Sequence, residues 1–249
     1  MRYFALMLVF LLAACSSSHN SGSAEDGPQG IEGIWTGSRT KTVYRCVLFA
    51  CAPHHTETTP AIALAAADGR IHLFAENSYS SIAGTARVSR RKVSGQLNHI
   101  CDPLDGPPIL GHVDIDGSFA SGKTLDISYE FDECIGDGVF NLVFDAASLQ
   151  APSLDRITGI WSSQQVSITV DPDGSYLGAD DTGCQLSGSV VPGSSTVNIF
   201  DISMLIENCP AIDGQYAGLA AVILHEPNPE ILMMGGMGSD AIFWLGLQR

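Results

Sequence analysis

Basic residues are scarce in this chain: Lys and Arg number 12 against 27 Asp and Glu, for a formal net charge of −15 at pH 7. A surface of that sign repels phosphate, which excludes a nucleic-acid partner. Charge of either sign is also sparse, at 16% of 249 residues, while 45% are hydrophobic. Disorder needs the opposite balance, so the composition predicts a folded body with enough apolar material to fill a core. Long apolar runs are missing beyond the first fifteen residues, and none suits a membrane-spanning helix, which needs about 20. Signatures of chemistry are missing too. There is no His-Glu-x-x-His, no Cys-x-x-Cys and no Gly-x-Ser-x-Gly. The sequence therefore assigns no catalytic residue, no cofactor and no metal.

What is present begins with a basic residue, Arg2, followed by an unbroken apolar run over residues 3–14. Twelve residues are too short to span a bilayer but fit the core of a secretory signal peptide. The run ends in Leu12-Ala13-Ala14-Cys15, which resembles the lipobox of bacterial lipoproteins. The resemblance implies that residues 1–14 are a signal peptide. It implies further that Cys15 becomes the N-terminus, carrying a diacylglyceryl thioether and an amide-linked acyl chain such as palmitate. Two or more chains anchor stably, at about 0.8 kcal/mol per buried CH2. Ser16, where an Asp would signal inner-membrane retention, implies the outer membrane, with the facing side left open. Residues 15–30 are then the lipidated Cys and a Ser/Gly-rich spacer.

A weak internal repeat follows. Gly33-Ile34-Trp35 recurs as Gly159-Ile160-Trp161, and Ala67-Asp68-Gly69 as Pro172-Asp173-Gly174. Ile82-Ala83-Gly84-Thr85 matches Leu186-Ser187-Gly188-Ser189, and Ile115-Asp116-Gly117 parallels Ile212-Asp213-Gly214. The first copy holds an insert after its Trp that carries Cys46, Cys51, His54 and His55. The boundary falls at Ala151-Pro152-Ser153, giving units over residues 31–153 and 154–249.

Both units read as β. The stretch Leu125-Asp126-Ile127-Ser128-Tyr129-Glu130-Phe131 alternates strictly, as a half-buried strand must. Asp-Gly pairs at Asp68, Asp116, Asp137, Asp173 and Asp213 are expected to close hairpins. The predicted fold class is all-β, with two tandem small antiparallel barrels or sandwiches. Six cysteines after Cys15 read as a disulfide framework in an oxidising compartment. Cys184 and Cys209 are the only pair in the second unit and are expected to bond. For the first unit, three connectivities are open, of which Cys46–Cys51 with Cys101–Cys134 is preferred.

Several stretches invite sharper readings. Gly117-Ser118-Phe119-Ala120-Ser121-Gly122-Lys123-Thr124 satisfies the phosphate-loop pattern, but a strand-like exit predicts a hairpin where a helix is needed. His54 and His55 are adjacent, so on a regular strand they point to opposite faces. Met233-Met234-Gly235-Gly236-Met237 offers soft sulfur ligands but reads as an apolar strand. Acids at Asp180-Asp181 and around Glu130 lack calcium-loop spacing and read as solvated turns.

Gly33-Ile34-Trp35 and Gly159-Ile160-Trp161, each heading its unit, are similar to the opening motif of lipocalin-like barrels. The resemblance implies that Trp35 and Trp161 plug the closed ends, and by analogy that the barrels carry a small apolar ligand. The expected function is a non-enzymatic, membrane-anchored binding or structural module of the bacterial envelope, attached through Cys15. The alternatives are a lipocalin-like carrier of a small apolar ligand, and an inhibitor or receptor for a basic protein. For the last, residues 157–249 are the more acidic part, with ten acids against one base.

Overall fold

A computed structural model of the chain describes residues 30–47, 50–76, 81–101, 109–131, 136–193, 196–209, 212–223 and 230–249. It is almost all β and holds two eight-stranded antiparallel barrels. The first is built from β1 (Gly33–Val47), β2 (Ala50–Ala65), β3 (Arg70–Ala75), β4 (Ser81–Thr85), β5 (Arg87–Ser89), β6 (Lys92–Cys101), β7 (Ile109–Ala120), β8 (Thr124–Phe131) and β9 (Gly136–Phe144). Its order is β4-β3-β2-β1-β9-β8-β7-β6, and β6 pairs back onto β4 to close the ring. The short β5 takes over the edge of β6 at Lys92–Ser94, past the residues that β4 covers. A hairpin meander of this kind leaves few open edges.

The second barrel is β10 (Gly159–Ser162), β11 (Val166–Val170), β12 (Ser175–Asp180), β13 (Gln185–Pro192), β14 (Phe200–Glu207), β15 (Gly214–Ile223), β16 (Ile231–Met237) and β17 (Ile242–Gln248), paired in that order and closed by β17 on β10. A 3-10 turn (Ala146–Leu149) and a single helical turn, α1 (Leu154–Ile157), link the two. Period-2 burial fills each interior. On β8, Leu125, Ile127 and Tyr129 point in, while Asp126, Ser128 and Glu130 are exposed. Trp35, Leu73, Leu97 and Phe140 fill the first barrel, and Trp161, Tyr176, Phe200 and Leu247 the second.

The repeat is written into the hydrogen bonds. The indole of Trp35 donates to the Ile31 carbonyl at 2.7 Å, and that of Trp161 to the Ile157 carbonyl at 2.6 Å. Gly33 and Gly159 both have positive φ, +133° and +125°. The turn at Asp68-Gly69 and the turn at Asp173-Gly174 match bond for bond. In both, the Asp carboxylate accepts the amide two residues on, and the Gly carbonyl accepts the amide of Ala86 or Val190. Gly84 then sits opposite Ile71 as Gly188 sits opposite Tyr176. The insert of the first copy is a lengthened hairpin: β1 and β2 run 15 and 16 residues, where β10 and β11 run 4 and 5. Among the described residues β9 pairs with β1 as far as Val43, and beyond it β1 continues on β2.

Three expectations fail locally. Asp116-Gly117 and Asp137-Gly138 close no turn; they lie within β7 and β9. A Cβ on Gly117 would overlap the Asp126 carbonyl oxygen, and one on Gly138 the Tyr129 hydroxyl, so close approach is what requires glycine there. The fourth landmark of the repeat is therefore out of phase: Asp116-Gly117 is inside β7, whereas Gly214 opens β15. His54 and His55 do not face apart. The β1–β2 register shifts there, with Val43 opposite His55 and Tyr44 opposite Pro53. A bulged residue breaks the alternation, and the two rings lie 5.0 Å apart.

A third core joins the barrels. Ile34, Leu64 and Phe74 on the outside of the first meet Leu219, Ala221, Ile223 and Met233 on the outside of the second. Ser148 Oγ accepts the Ile34 amide at 2.7 Å, and the buried Asn198 amide group donates to Ala147 and Val222 carbonyls. Arg70 pairs with Asp201 across the junction at 2.7 Å.

Candidate functional site

The junction is not closed along its whole length. Beside the third core the outer faces of β2 and β3 diverge from β16 and β17, leaving a cleft of about 540 Å3. Ile62 and Phe74 form one wall, and Ile231, Met233 and Trp244 the other. The Phe74 and Trp244 rings of its two walls lie 5.6 Å apart. Glu76 and Gln248 add polar groups to the lining. A mostly apolar concavity with few polar groups, at the seam of two domains, is the usual form of a small-molecule site.

Beside this seam His72 is buried on β3, and its Nδ1 has no hydrogen-bond partner. Burial, with the Arg70 cation adding to it, holds its pKa down at about 4. Gly235 lies against it, and a Cβ there would overlap the Phe74 ring. The methionine-rich stretch is thus divided among three environments. Met233 faces the cleft, Met234 the second core, and Met237 Sδ accepts a hydrogen bond from Asn98 at 2.8 Å. Strand alternation turns Met234 to the opposite face, and Met237 lies four residues along the strand from Met233, so the sulfurs do not form one ligand set.

Cys184 and Cys209 form a disulfide with Cα atoms 5.0 Å apart, tying the β12–β13 turn to the end of β14. Asp180 comes near both sulfurs among the described residues, but sulfurs bonded to each other are not thiolate ligands. Its carboxylate is committed to the turn. It accepts the Thr182 hydroxyl at 2.8 Å and the amides of Thr182 and Cys184 at 2.8 and 2.9 Å. Desolvation pushes its pKa up, but these hydrogen bonds outweigh that and hold it low. Cys46 and Cys51 are register partners in the long hairpin. They and Cys101 are described in backbone only, and Cys15 and Cys134 lie outside the described residues.

Trp35 and Trp161 are fully buried at corresponding ends of their barrels. Phe144 covers Trp35 edge-on at 5.3 Å, whereas the guanidinium of Arg249 covers Trp161 at 4.6 Å and donates to the Arg156 and Thr158 carbonyls. The phosphate-loop match is a β7–β8 hairpin, with no helix to face an anion. Two charged patches emerge from the register. Asp114, Glu130 and Asp137 are aligned directly across β7, β8 and β9, an arrangement of like charges that costs stability. Arg87, Arg90, Arg91 and Lys92 are exposed around the β5–β6 turn, at the same end of the barrel as Gly33. The basic patch contains a run visible in the sequence, Arg90-Arg91-Lys92; the acidic row was not legible, because which residues align depends on strand register. No protein-family model, curated protein or solved structure matches this chain.

Proposed function

We propose that this chain is a non-enzymatic, lipid-anchored binding module of the bacterial envelope. Its folded body takes a small apolar molecule in the cleft between the barrels. The observation that carries the reading is that cleft: two aromatic rings, a thioether and branched aliphatic side chains around about 540 Å3, within the range of small-molecule sites. The apolar cores around Trp35 and Trp161 are filled by their own side chains, so a lipocalin-like carrier would hold its apolar molecule between the barrels. The lipobox supports attachment through Cys15, to the outer membrane by virtue of Ser16. The cations around Arg91 lie at the barrel end where the spacer enters, suited to anionic headgroups.

Titration with the neutral fluorophore N-phenyl-1-naphthylamine tests the cleft. One saturable site per chain is expected, weakened about tenfold or more by Ile62→Glu, which sets a charge in an apolar wall. Absence of saturable binding would sink the reading. Palmitate labelling in the native host tests the anchor, with incorporation expected in the wild type and none in Cys15→Ala.

A second reading, a receptor or inhibitor for a basic protein, is favoured by the Asp114–Glu130–Asp137 row. Charge neutralisation at Glu130 (Glu130→Gln) should then slow association and flatten its salt dependence.

A further inference from the structure

Twelve basic residues serve this chain, and their use is uneven. Arg70, Arg156 and Arg249 each pair with a carboxylate. Arg39 does not. It lies on β1 with the same parity as Trp35, so it points into the first barrel, and it is 1% exposed. Its Nε and Nη1 are buried without a hydrogen-bond partner, and among the described residues it enters no ion pair. A guanidinium stays charged at every physiological pH. Burying an unpaired charge costs several kcal/mol, so a fold that retains one invites a counter-charge.

The surroundings add one further cation. Lys41 follows on the same face; burial and then Arg39 pull its pKa below the usual range, against the exposed Glu57. His99 faces the pair from β6, and burial, with Lys41 and Arg39 adding, holds it down at about 3. Tyr129 faces them from β8, its pKa pushed up to about 12 by burial while Arg39 pulls the other way. Opposite Arg39 on β2 is Thr59, whose Oγ1 is also buried without a partner. On β9 the register partners are Phe140 and Gly138, which bring no charge. The nearest β9 carboxylate, Asp137, is held by the hydroxyls of Tyr44 and Thr42. Two cations, Arg39 and Lys41, thus face the interior of one barrel, and the one carboxylate aligned with them on β2, the exposed Glu57 opposite Lys41, is paired with His55.

We propose that the first barrel binds a small oxyanion, a carboxylate or phosphate, through the Arg39 guanidinium, with the Lys41 ammonium and Thr59 hydroxyl as further donors. The site is separate from the cleft, which lies on the outer faces of the strands, and it stands whether or not the cleft binds anything. Several donors on different strands favour an anion with more than one acceptor oxygen over chloride. The corresponding β10 of the second barrel is too short to repeat the site: it ends at Ser162, one residue after its Trp.

The test is titration of the intact, disulfide-bonded protein in chloride at constant ionic strength. Binding is read by melting temperature and by the 15Nε resonance of Arg39. Acetate and inorganic phosphate probe the free anion; octanoate and octyl phosphate probe the same headgroups on an alkyl chain. A saturable rise in melting temperature is expected with at least one headgroup, moving the Arg39 resonance in parallel. Arg39→Met should abolish the response, and Lys41→Gln should weaken affinity about tenfold. Ile62→Glu should leave it intact. Tighter binding of the alkylated anions would place the headgroup on an amphiphile; equal affinities would identify a free anion. If Arg39→Met does not fold, the resonance and Lys41→Gln carry the decision. The proposal is overturned if no anion saturates, if the Arg39 resonance stays still, or if Arg39→Met binds as the wild type does.

Discussion

His72 and Arg39 face opposite sides of the same barrel wall, and each is buried at a cost that solution conditions expose. His72 is neutral in the folded state with a pKa of about 4, whereas the unfolded imidazole titrates near 6.5. The unfolded chain therefore takes up the proton first as pH falls. The stability tied to His72 is whole above about pH 6.5, declines between there and about pH 4, and is flat below. For a shift of that size the loss is on the order of 3 kcal/mol. His99, held at about 3, contributes a decline that starts at the same pH and runs on to about pH 3. Urea denaturation between pH 6.5 and 5 should therefore show a histidine slope that falls by about half in His72→Phe; an unchanged slope would contradict the burial argument. At this scale the legible residues were those repeated in a motif: Trp35 and Trp161 share three letters and a hydrogen bond. Arg39 carried no such signal. Among Arg, Thr and Lys neighbours it reads as a solvated strand residue until ring closure turns its face inward.

At the scale of elements, the closest agreement between sequence and structure lies where a turn demands a special backbone. Asp68-Gly69 and Asp173-Gly174 supply positive φ at the glycine and close the same hairpin in each barrel. Asp-Gly inside β7 and β9 looks identical in sequence but answers crowding between strands, which local pattern does not record. The bulge at His54 was hidden for the same reason, because register is a property of two strands and not of one. The Cys184–Cys209 bond was legible because the second unit offers no other partner. Closing a loop with a sequence separation of 25 stabilises by about 3.5 kcal/mol in the chain-entropy model. Cys184→Ser with Cys209→Ser should lower the urea midpoint accordingly. An unaltered midpoint would mean that the Asp180 hydrogen bonds, and the Cys209 amide donating to the Asp213 carboxylate at 2.6 Å, hold those turns unaided.

At the scale of the molecule, two repeats that each look self-sufficient share a third core, and their sequences hide it. Ile34, Leu64 and Phe74 read as ordinary alternation partners of residues inside the barrel; only the arrangement of both barrels shows that the outer face is buried as well. Gly235 is the point where this packing is tightest. Gly235→Val would drive a side chain into the Phe74 ring and should destabilise the protein by about 2 kcal/mol, while also disturbing the adjoining cleft. A loss under about 0.5 kcal/mol, the usual size for an uncoupled surface change, would mean the barrels part easily.

If the cleft between the barrels holds a small apolar molecule, native mass spectrometry of the protein drawn gently from its own envelope will show it. A retained apolar mass is expected in the wild type and in Lys41→Gln, and none in Ile62→Glu. Unliganded protein alone, with no lipid or small molecule extracted, would contradict it.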